Sequence, residues 1–397
     1  MERLSLPERA NLPARLEESG FSFHEMHGER YWDERAAYRF TLAQIEDDLE
    51  DPATALQALC LDLVAEVVES DALMARLGVP EPFRDFVAAS WRDRAPSLYG
   101  RMDMAYTGQG PAKLLEYNAD TPTSVFETAS FQWTWLEDAR TTGLIPKDSD
   151  QFNGLHEALV ERFRALAPEG IDLHFSAFQD SAEDFGTVEY LAWAAQEAGL
   201  VPHFVDVRAL GASQEGDLLD DQGRVIGALF KLYPWEDFLR EGLAEALPGA
   251  RNHFLEPAWK GLLSNKGMLA LLWERHPGHP NLLPAWFGED IEAGRADLEA
   301  VNAAFAQGWV SKPLFSREGA GVEIWRGGQR LHASAPERYA EHPRIHQAYT
   351  ALPETAGNHP VLGLWIVGEA CCALGIREDR DPITRDLSRF LPHYIDG

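Results

Sequence analysis

The chain has 397 residues, with 35 basic and 64 acidic side chains and a formal net charge of −29. With a pI near 4.8, its surface repels phosphate backbones and anionic lipid, which argues against broad nucleic-acid or membrane-surface binding and favours cationic ligands. A hydrophobic content of 45% supplies a substantial core and argues against disorder.

The first residues, MERLSLPERANLPARL, carry charges and prolines where a signal peptide needs an unbroken apolar core. Three cysteines, Cys60, Cys371 and Cys372, form neither a disulfide framework nor a CxxC pair. Both features point to a cytoplasmic location. Residues 1–100 read as a mostly helical portion, with Thr41 as an N-cap before LAQIEDDLE and apolar residues at helical spacing through TALQALCLDLVAEVVESDALMARL. From residue 101 to 397 the pattern is α/β (α+β), in one compact, multi-lobed unit. YGRMDMAY and AKLLEYNAD predict a hairpin across Thr107–Pro111, and IDLHFSAF, EYLAWAAQEAGL and VPHFVDV predict strand, helix and strand. RVIGALFKLY and PWEDFLREGLAEAL predict strand then helix, with Pro234 in the first helical turn. SNKGMLALLWERHPG predicts a helix capped by Ser264, and WVSKPLFSREGAGVEIWRGG predicts a further hairpin. The apolar run at 360–376 contains Glu369 and is short for a membrane span; two buried strands turning at Val367–Gly368 account for it.

The first hairpin carries the clearest constellation. Arg101 and Asp103 share one strand face, as do Glu116 and Asn118. If Asp103 pairs with Glu116 and Arg101 with Asn118, two carboxylates and an amide oxygen converge as a hard-cation site, with an arginine suited to a phosphoryl group. A solvated face with ordinary ion pairs is the alternative. In SKPLFSREGAG, Lys312 precedes a loop with Gly319 and Gly321, a phosphate cradle or a plain hairpin tip. Lys266, at a predicted helix start, could meet an anion together with the helix amides or simply face solvent. Arg377 follows an apolar strand beside Glu378 and Asp379, a guanidinium delivered at a strand end or an ordinary surface ion pair. GxxxxGK[ST], GxGxxG and GxSxG are absent. His276 and His279 in HPGHP lack helical spacing and a carboxylate in register for zinc. Cys371 and Cys372, adjacent on a strand, face opposite sides as core residues.

These pieces together resemble the synthetase domain of the glutathionylspermidine synthase family, ATP-grasp carbon–nitrogen ligases. The matching words are LLEYNADTPTS (114–124), FKLYPWE (230–236), EPAWKGLLSNKG (256–267), HPGHPNLL (276–283), SKPLFSREG (311–319), GIRED and SRFLPH. The resemblance implies an ATP-grasp-like fold, ATP and Mg2+ as cofactors, and amide formation between a peptide carboxylate, glutathione among the candidates, and an amine such as spermidine, through an acyl phosphate. It assigns Asp103, Glu116 and Asn118 to the metal, Arg101 to the transferred phosphoryl group and Arg377 to the active site. Lys266, Lys312, Gly319 and the hinge Gln347, Ala348, Tyr349 and Thr350 fall to ATP, Ser124 to the peptide, and Glu183 and Asp184 to the amine. Carboxylates there suit a protonated amine, and acidic stabilisation of a helix N-terminus suits them equally. The 397 residues leave no room for the amidase domain of bifunctional relatives, so the expectation is bond formation without hydrolysis. A ligase for another amine or amino-acid pair, a non-catalytic nucleotide sensor and a scaffolding protein are the rival readings.

Overall fold

The computed structural model describes residues 1–167, 170–335, 337–385 and 387–397. Two strands open the chain, β1 (Glu2–Ser5) and β2 (Ala36–Phe40). Thr41 then caps a helical run, its hydroxyl accepting from the Gln44 amide while the Gln44 side chain accepts from the Thr41 amide, and the run continues into α1 (Asp51–Val67). The helical reading of the first hundred residues therefore describes 12–19 and most of 42–92, while residues 2–5 and 36–40 are strands.

The hairpin β3 (Tyr99–Ala105) and β4 (Lys113–Asn118) is antiparallel in the expected register, Arg101 against Asn118 and Asp103 against Glu116. A parallel unit follows: α2 (Leu155–Leu166), β5 (Asp172–Ala177), α3 (Ala182–Glu197), β6 (Val201–Asp206), β7 (Ala228–Lys231) and β8 (His253–Leu255). Its sheet order is β8-β7-β5-β6. The expected long helix after Pro234 is a single turn, Trp235–Phe238, then a 3-10 segment, Gly242–Gly249; Pro234 is the N-cap, one position before the first turn. Helix α4 (Gly267–Arg275) starts later than expected: the backbone is extended at Asn265, Lys266 is the N-cap, and Ser264 ends a preceding short helix.

A third sheet, β9 (Ala285–Phe287), β10 (Trp309–Pro313), β11 (Glu323–Arg326), β12 (Gln329–Ala333) and β13 (Arg344–Ala348), runs in the order β9-β13-β10-β11-β12. The 360–376 run is the antiparallel pair β14 (His359–Val367) and β15 (Ala370–Asp379), followed by β16 (Arg389–Leu391) and β17 (His393–Ile395). These place β3 and β4 in a central sheet ordered β16-β15-β14-β3-β4.

Period 2 divides the central sheet. One face, with Met102, Met104, Leu362, Leu364, Leu374 and Ile376, packs on Leu56, Cys60, Leu63 and Val64 of α1 in the largest core cluster, which also takes Cys371. The other face begins with Tyr99, Trp365 and Ala373 packed on α2, with Cys372 against the same cluster, and ends in Arg101, Asp103 and Arg377.

The N-terminal strands are tied to this sheet through Glu378. Its buried carboxylate takes Arg3 through Nε (2.8 Å) and a terminal nitrogen (2.7 Å), the Tyr38 hydroxyl (2.7 Å) and Arg389 (2.8 Å). Removing one member of such a buried network leaves the others uncompensated. Glu378→Ala is expected to destabilise the protein by about 3–5 kcal/mol, read as a lower midpoint in urea unfolding.

Candidate functional site

Arg101, Asp103, Glu116 and Asn118 meet at the floor of a cavity of about 480 Å³. Arg101 clamps Asp103 with two bonds, Nε to Oδ1 at 2.7 Å and a terminal nitrogen to Oδ2 at 3.1 Å, and donates to the Thr123 carbonyl at 2.9 Å. Asn118 Nδ2 lies 3.1 Å from Asp103 Oδ2 across the strands and 3.4 Å from Glu116 Oε1 on its own strand. The guanidinium has space because Gly363 lies beneath it: a Cβ there would stand 2.7 Å from Arg101 Cδ. Gly375, cross-strand partner of Gly363, gives the same room to the Thr128 hydroxyl.

Two lysines arrive from other elements. Lys266 Nζ pairs with Glu116 Oε2 at 3.0 Å and donates to the Ser316 carbonyl at 2.7 Å. Lys312 Nζ donates to the Leu115 carbonyl and Gln347 Oε1, each at 2.8 Å. Burial opposes the charge on Glu116, but Lys266 and Lys312 outweigh it and hold the carboxyl at about 2. Burial in turn lowers the Lys312 ammonium to about 8, against the pull of Glu116 and with the push of Lys266.

Most of the residues chosen from sequence are gathered here. Arg101, Asp103, Glu116, Asn118, Lys312, Gly319, Gln347, Ala348, Tyr349, Thr350, Asp184 and Arg377 line the cavity. Lys266 stands behind Glu116, and Ser124 opens onto a small chamber behind Arg101 and Arg377. Glu183 and Asp184 separate: Asp184 lines the cavity, whereas Glu183 acts electrostatically on Tyr31. Both lie in the first turn of α3, with the Ser181 hydroxyl accepting from the Asp184 amide. The expected helix-amide contribution at Lys266 does not arise. The Gly267 amide donates to Asn265 Oδ1 at 2.7 Å, and those of Met268 and Leu269 to the carbonyls of Asn265 and Lys266. Only the lysine ammonium reaches the site. His279 serves its own loop, Nδ1 accepting from the Asn281 amide.

The donor set fits a small, hard cation. Asp103 and Glu116 turn oxygens toward one amide group, and rotating the Asn118 amide would bring its oxygen to the point where its N–H now bridges them. Among the described residues no cluster of three His, Cys, Asp or Glu side chains could hold a metal, so further oxygens would come from a bound phosphate or water.

Sequence reasoning missed the ties that roof the cavity. Arg317 bonds the Thr121 hydroxyl and Glu236 (3.0 Å), and Arg338 grips Asp237 at 3.0 and 2.7 Å. The loop is drawn in so closely that a Cβ on Gly319, whose φ is +68°, would lie 2.5 Å from the Thr384 carbonyl. The only signal was the position of Arg317 two residues before Gly319 in SREG.

The family model for glutathionylspermidine synthase preATP-grasp matches residues 3–396. The chain belongs to that family. It is 39% identical over 408 residues to a putative acid–amine ligase of Haemophilus influenzae, covering both chains in full. It is 27% identical to the trypanothione synthetase of Crithidia fasciculata, over 83% of this chain and 52% of that one. The bifunctional glutathionylspermidine synthetase/amidase of Escherichia coli is 23% identical over 88% of this chain and 58% of its own. The chain thus spans little more than half the length of these last two relatives. Among solved structures, a glutathione synthetase-like effector from Globodera pallida in its apo form superposes with a TM-score of 0.56 at 11% identity, over 99% of this chain and all of that one. The expected ATP-grasp-like α/β architecture is borne out.

The glycine beneath Arg101 generates a prediction. Gly363→Ala forces the buried guanidinium off Asp103 and is expected to cost about 1–3 kcal/mol of stability. Gly227→Ala, where a Cβ meets nothing within 4 Å, is expected to change stability by less than about 0.5 kcal/mol; denaturant unfolding of the pair measures the difference.

Proposed function

We propose that this chain is an ATP- and magnesium-dependent carbon–nitrogen ligase that joins a peptide carboxylate to an amine through an acyl phosphate. The observation that carries this reading is the convergence of Arg101, Asp103, Glu116 and Asn118 on one cavity floor with Lys266 and Lys312 beside them. A full-length relative named as an acid–amine ligase supports it. The names of the trypanothione and glutathionylspermidine synthetases support glutathione as the acid and a polyamine as the amine.

In the first step a carboxylate oxygen attacks the γ-phosphorus of ATP and ADP leaves. In the second the amine nitrogen attacks the acyl carbon, phosphate leaves, and the amine gives up a proton. Magnesium, when bound by Asp103, Glu116 and Asn118, supplies charge neutralisation at the phosphates. The protein's own part is positioning and electrostatics. Arg101, fixed by Asp103 and Thr123, presents its guanidinium to the moving phosphoryl group. Lys266 and Lys312 approach the nucleotide phosphates from α4 and β10, and the backbone from Gln347 to Thr350 borders the adenine end. Arg317 and Arg338 hold the roof against water. Asp184, with the walls of Phe178 and Tyr233, suits a protonated amine at the opposite end.

The test is ADP release by the purified protein with Mg2+, glutathione and spermidine, extended to other peptides and amines, with product masses recorded. Release that requires acid and amine together, yields the amide mass and falls by about 10²–10³ in Arg101→Ala is the expected outcome. Tight ATP binding without release for any pair would favour the sensor.

A second prediction follows from Lys312. Its ammonium deprotonates near pH 8 in the free protein, and a bound polyphosphate favours the charged form. Nucleotide binding then takes up a proton, and affinity falls as pH rises through 8, by up to about tenfold per unit. Lys312→Arg keeps its charge and is expected to flatten this slope in calorimetric titrations from pH 7 to 9.5.

A further inference from the structure

The loop between β10 and β11 borders the cavity with Glu318, Gly319 and Val322, and Lys312 of β10 lines the same cavity. Its backbone turns sharply: Glu318, Gly319 and Gly321 take φ values of +53°, +68° and +68°. A non-glycine residue stays in that region only where its surroundings over-determine it. Three anchors do so here. Lys266 Nζ takes the Ser316 carbonyl at the start of the loop, at 2.7 Å. Ser334 Oγ donates to the Gly319 carbonyl and accepts from the Val322 amide at 3.0 Å. Arg344, the first residue of β13, holds the end of the loop, donating from a terminal nitrogen to the Gly321 carbonyl at 2.5 Å.

The same guanidinium also grips β10. It donates to the Ser311 carbonyl at 3.2 Å and, through Nε, to Ser311 Oγ at 2.6 Å. Ser311 is buried and directly precedes Lys312. Strand alternation sends Ser311 and Arg344 to one face of the sheet and Lys312 and Gln347, which are hydrogen-bonded to each other, to the cavity face. One side chain behind the sheet therefore bridges the loop and the strand that carries the lysine.

All three acceptors are neutral oxygens. Among the described residues Arg344 has no ion pair; Glu323, two strands away, pairs with Arg330 at 2.9 Å. A half-buried charge without a carboxylate is a poor source of stability, whereas a planar fork fixes two directions at once, which a lysine cannot. We infer that Arg344 is a positioning residue of the site: it fixes the glycine loop to the strand bearing Lys312, so that loop and lysine meet the phosphates of a nucleotide at a set spacing. The inference rests on the ligase reading only for the identity of that guest.

Hydrogen exchange in the nucleotide-free protein reads the tether itself. Arg344→Lys keeps the charge but cannot serve both acceptors. It is expected to speed exchange of the Ala320, Gly321 and Val322 amides, all hydrogen-bonded in the parent, by about tenfold, with α1 unchanged. Calorimetric titration with ATP and Mg2+ reads the consequence: affinity falls by about tenfold in Arg344→Lys and by about threefold in Ser311→Ala, which loses only the strand-side hydroxyl. Arg330→Ala, which breaks an exposed ion pair on the same sheet, is expected to stay within about twofold of the parent in both readings. In turnover, the KM for ATP rises by about tenfold in Arg344→Lys while that for spermidine stays within about twofold, a split that general loosening of the fold does not produce. Unchanged loop exchange in Arg344→Lys, faster exchange shared equally by α1, or parental ATP affinity despite a faster loop would each overturn the inference. Should Arg344→Lys fail to fold, Ser311→Ala decides by the same readings. A parent that binds no ATP would sink the ligase reading, and the exchange result, which needs no nucleotide, still decides the tether.

Discussion

The pairing of Tyr99–Ala105 with Lys113–Asn118 is the constraint on which the site depends. A slip of one residue in the first strand would send Arg101 and Asp103 to the face that packs on α1, away from Glu116 and Asn118, and leave methionines in the cavity. The hairpin is held at both ends by groups from outside it. Glu256 accepts from the Leu98 and Tyr99 amides where the first strand begins, and Lys260 Nζ donates to the Tyr99 carbonyl. Where the second strand ends, Ser264 Oγ takes the Ala119 and Asp120 amides, and Asp120 receives Lys231 Nζ at 2.8 Å and the Trp235 amide at 2.7 Å.

These buried pairs, Asp120 with Lys231 and Glu256 with Lys260, are poor sources of stability, because desolvating two charges consumes most of what their attraction returns. Their directionality is what the structure uses. Each ties a loop or strand end to one place, so that the charged side chains on the open face begin from fixed backbone positions. The same logic explains the glycines at 363 and 375: a flat floor two strands wide lets bulky polar groups lie down over it instead of standing upright in solvent.

How much of this was legible follows from the range of each interaction. The register of the first hairpin could be read because period 2 and a Gly-rich turn are local, and the turn after β14 was read to within one residue, falling at Gly368–Glu369. The cap at Thr41 was also visible, since its partner Gln44 is three residues away. The start of α4 was misplaced because Ser264, a good capping residue by type, is engaged instead by amides about 145 positions earlier in the chain. Tyr31 and Glu127 carry no motif; their partnership exists only once residues 96 apart are folded together. Arg101, Lys266 and Lys312 were gathered by a family pattern, but the lowered ammonium of Lys312 depends on burial that no spacing encodes.

The strand Ala36–Phe40 lies between Glu2–Ser5 on one side and His393–Ile395, parallel to it, on the other. His393 pairs with Tyr38 across almost the entire length of the chain. Contacts of such high sequence separation form late and slowly. The segment that delivers Tyr31 to Ser124 in the site stays without one of its neighbours until residues 393–395 are in place. The hairpin of β3 and β4 is local, but the cavity floor is finished only when β14 pairs with β3, Gly363 against Asp103. Floor and N-terminal strands thus both wait on strands from far along the chain, so a partly folded molecule holds neither half of the site in working order.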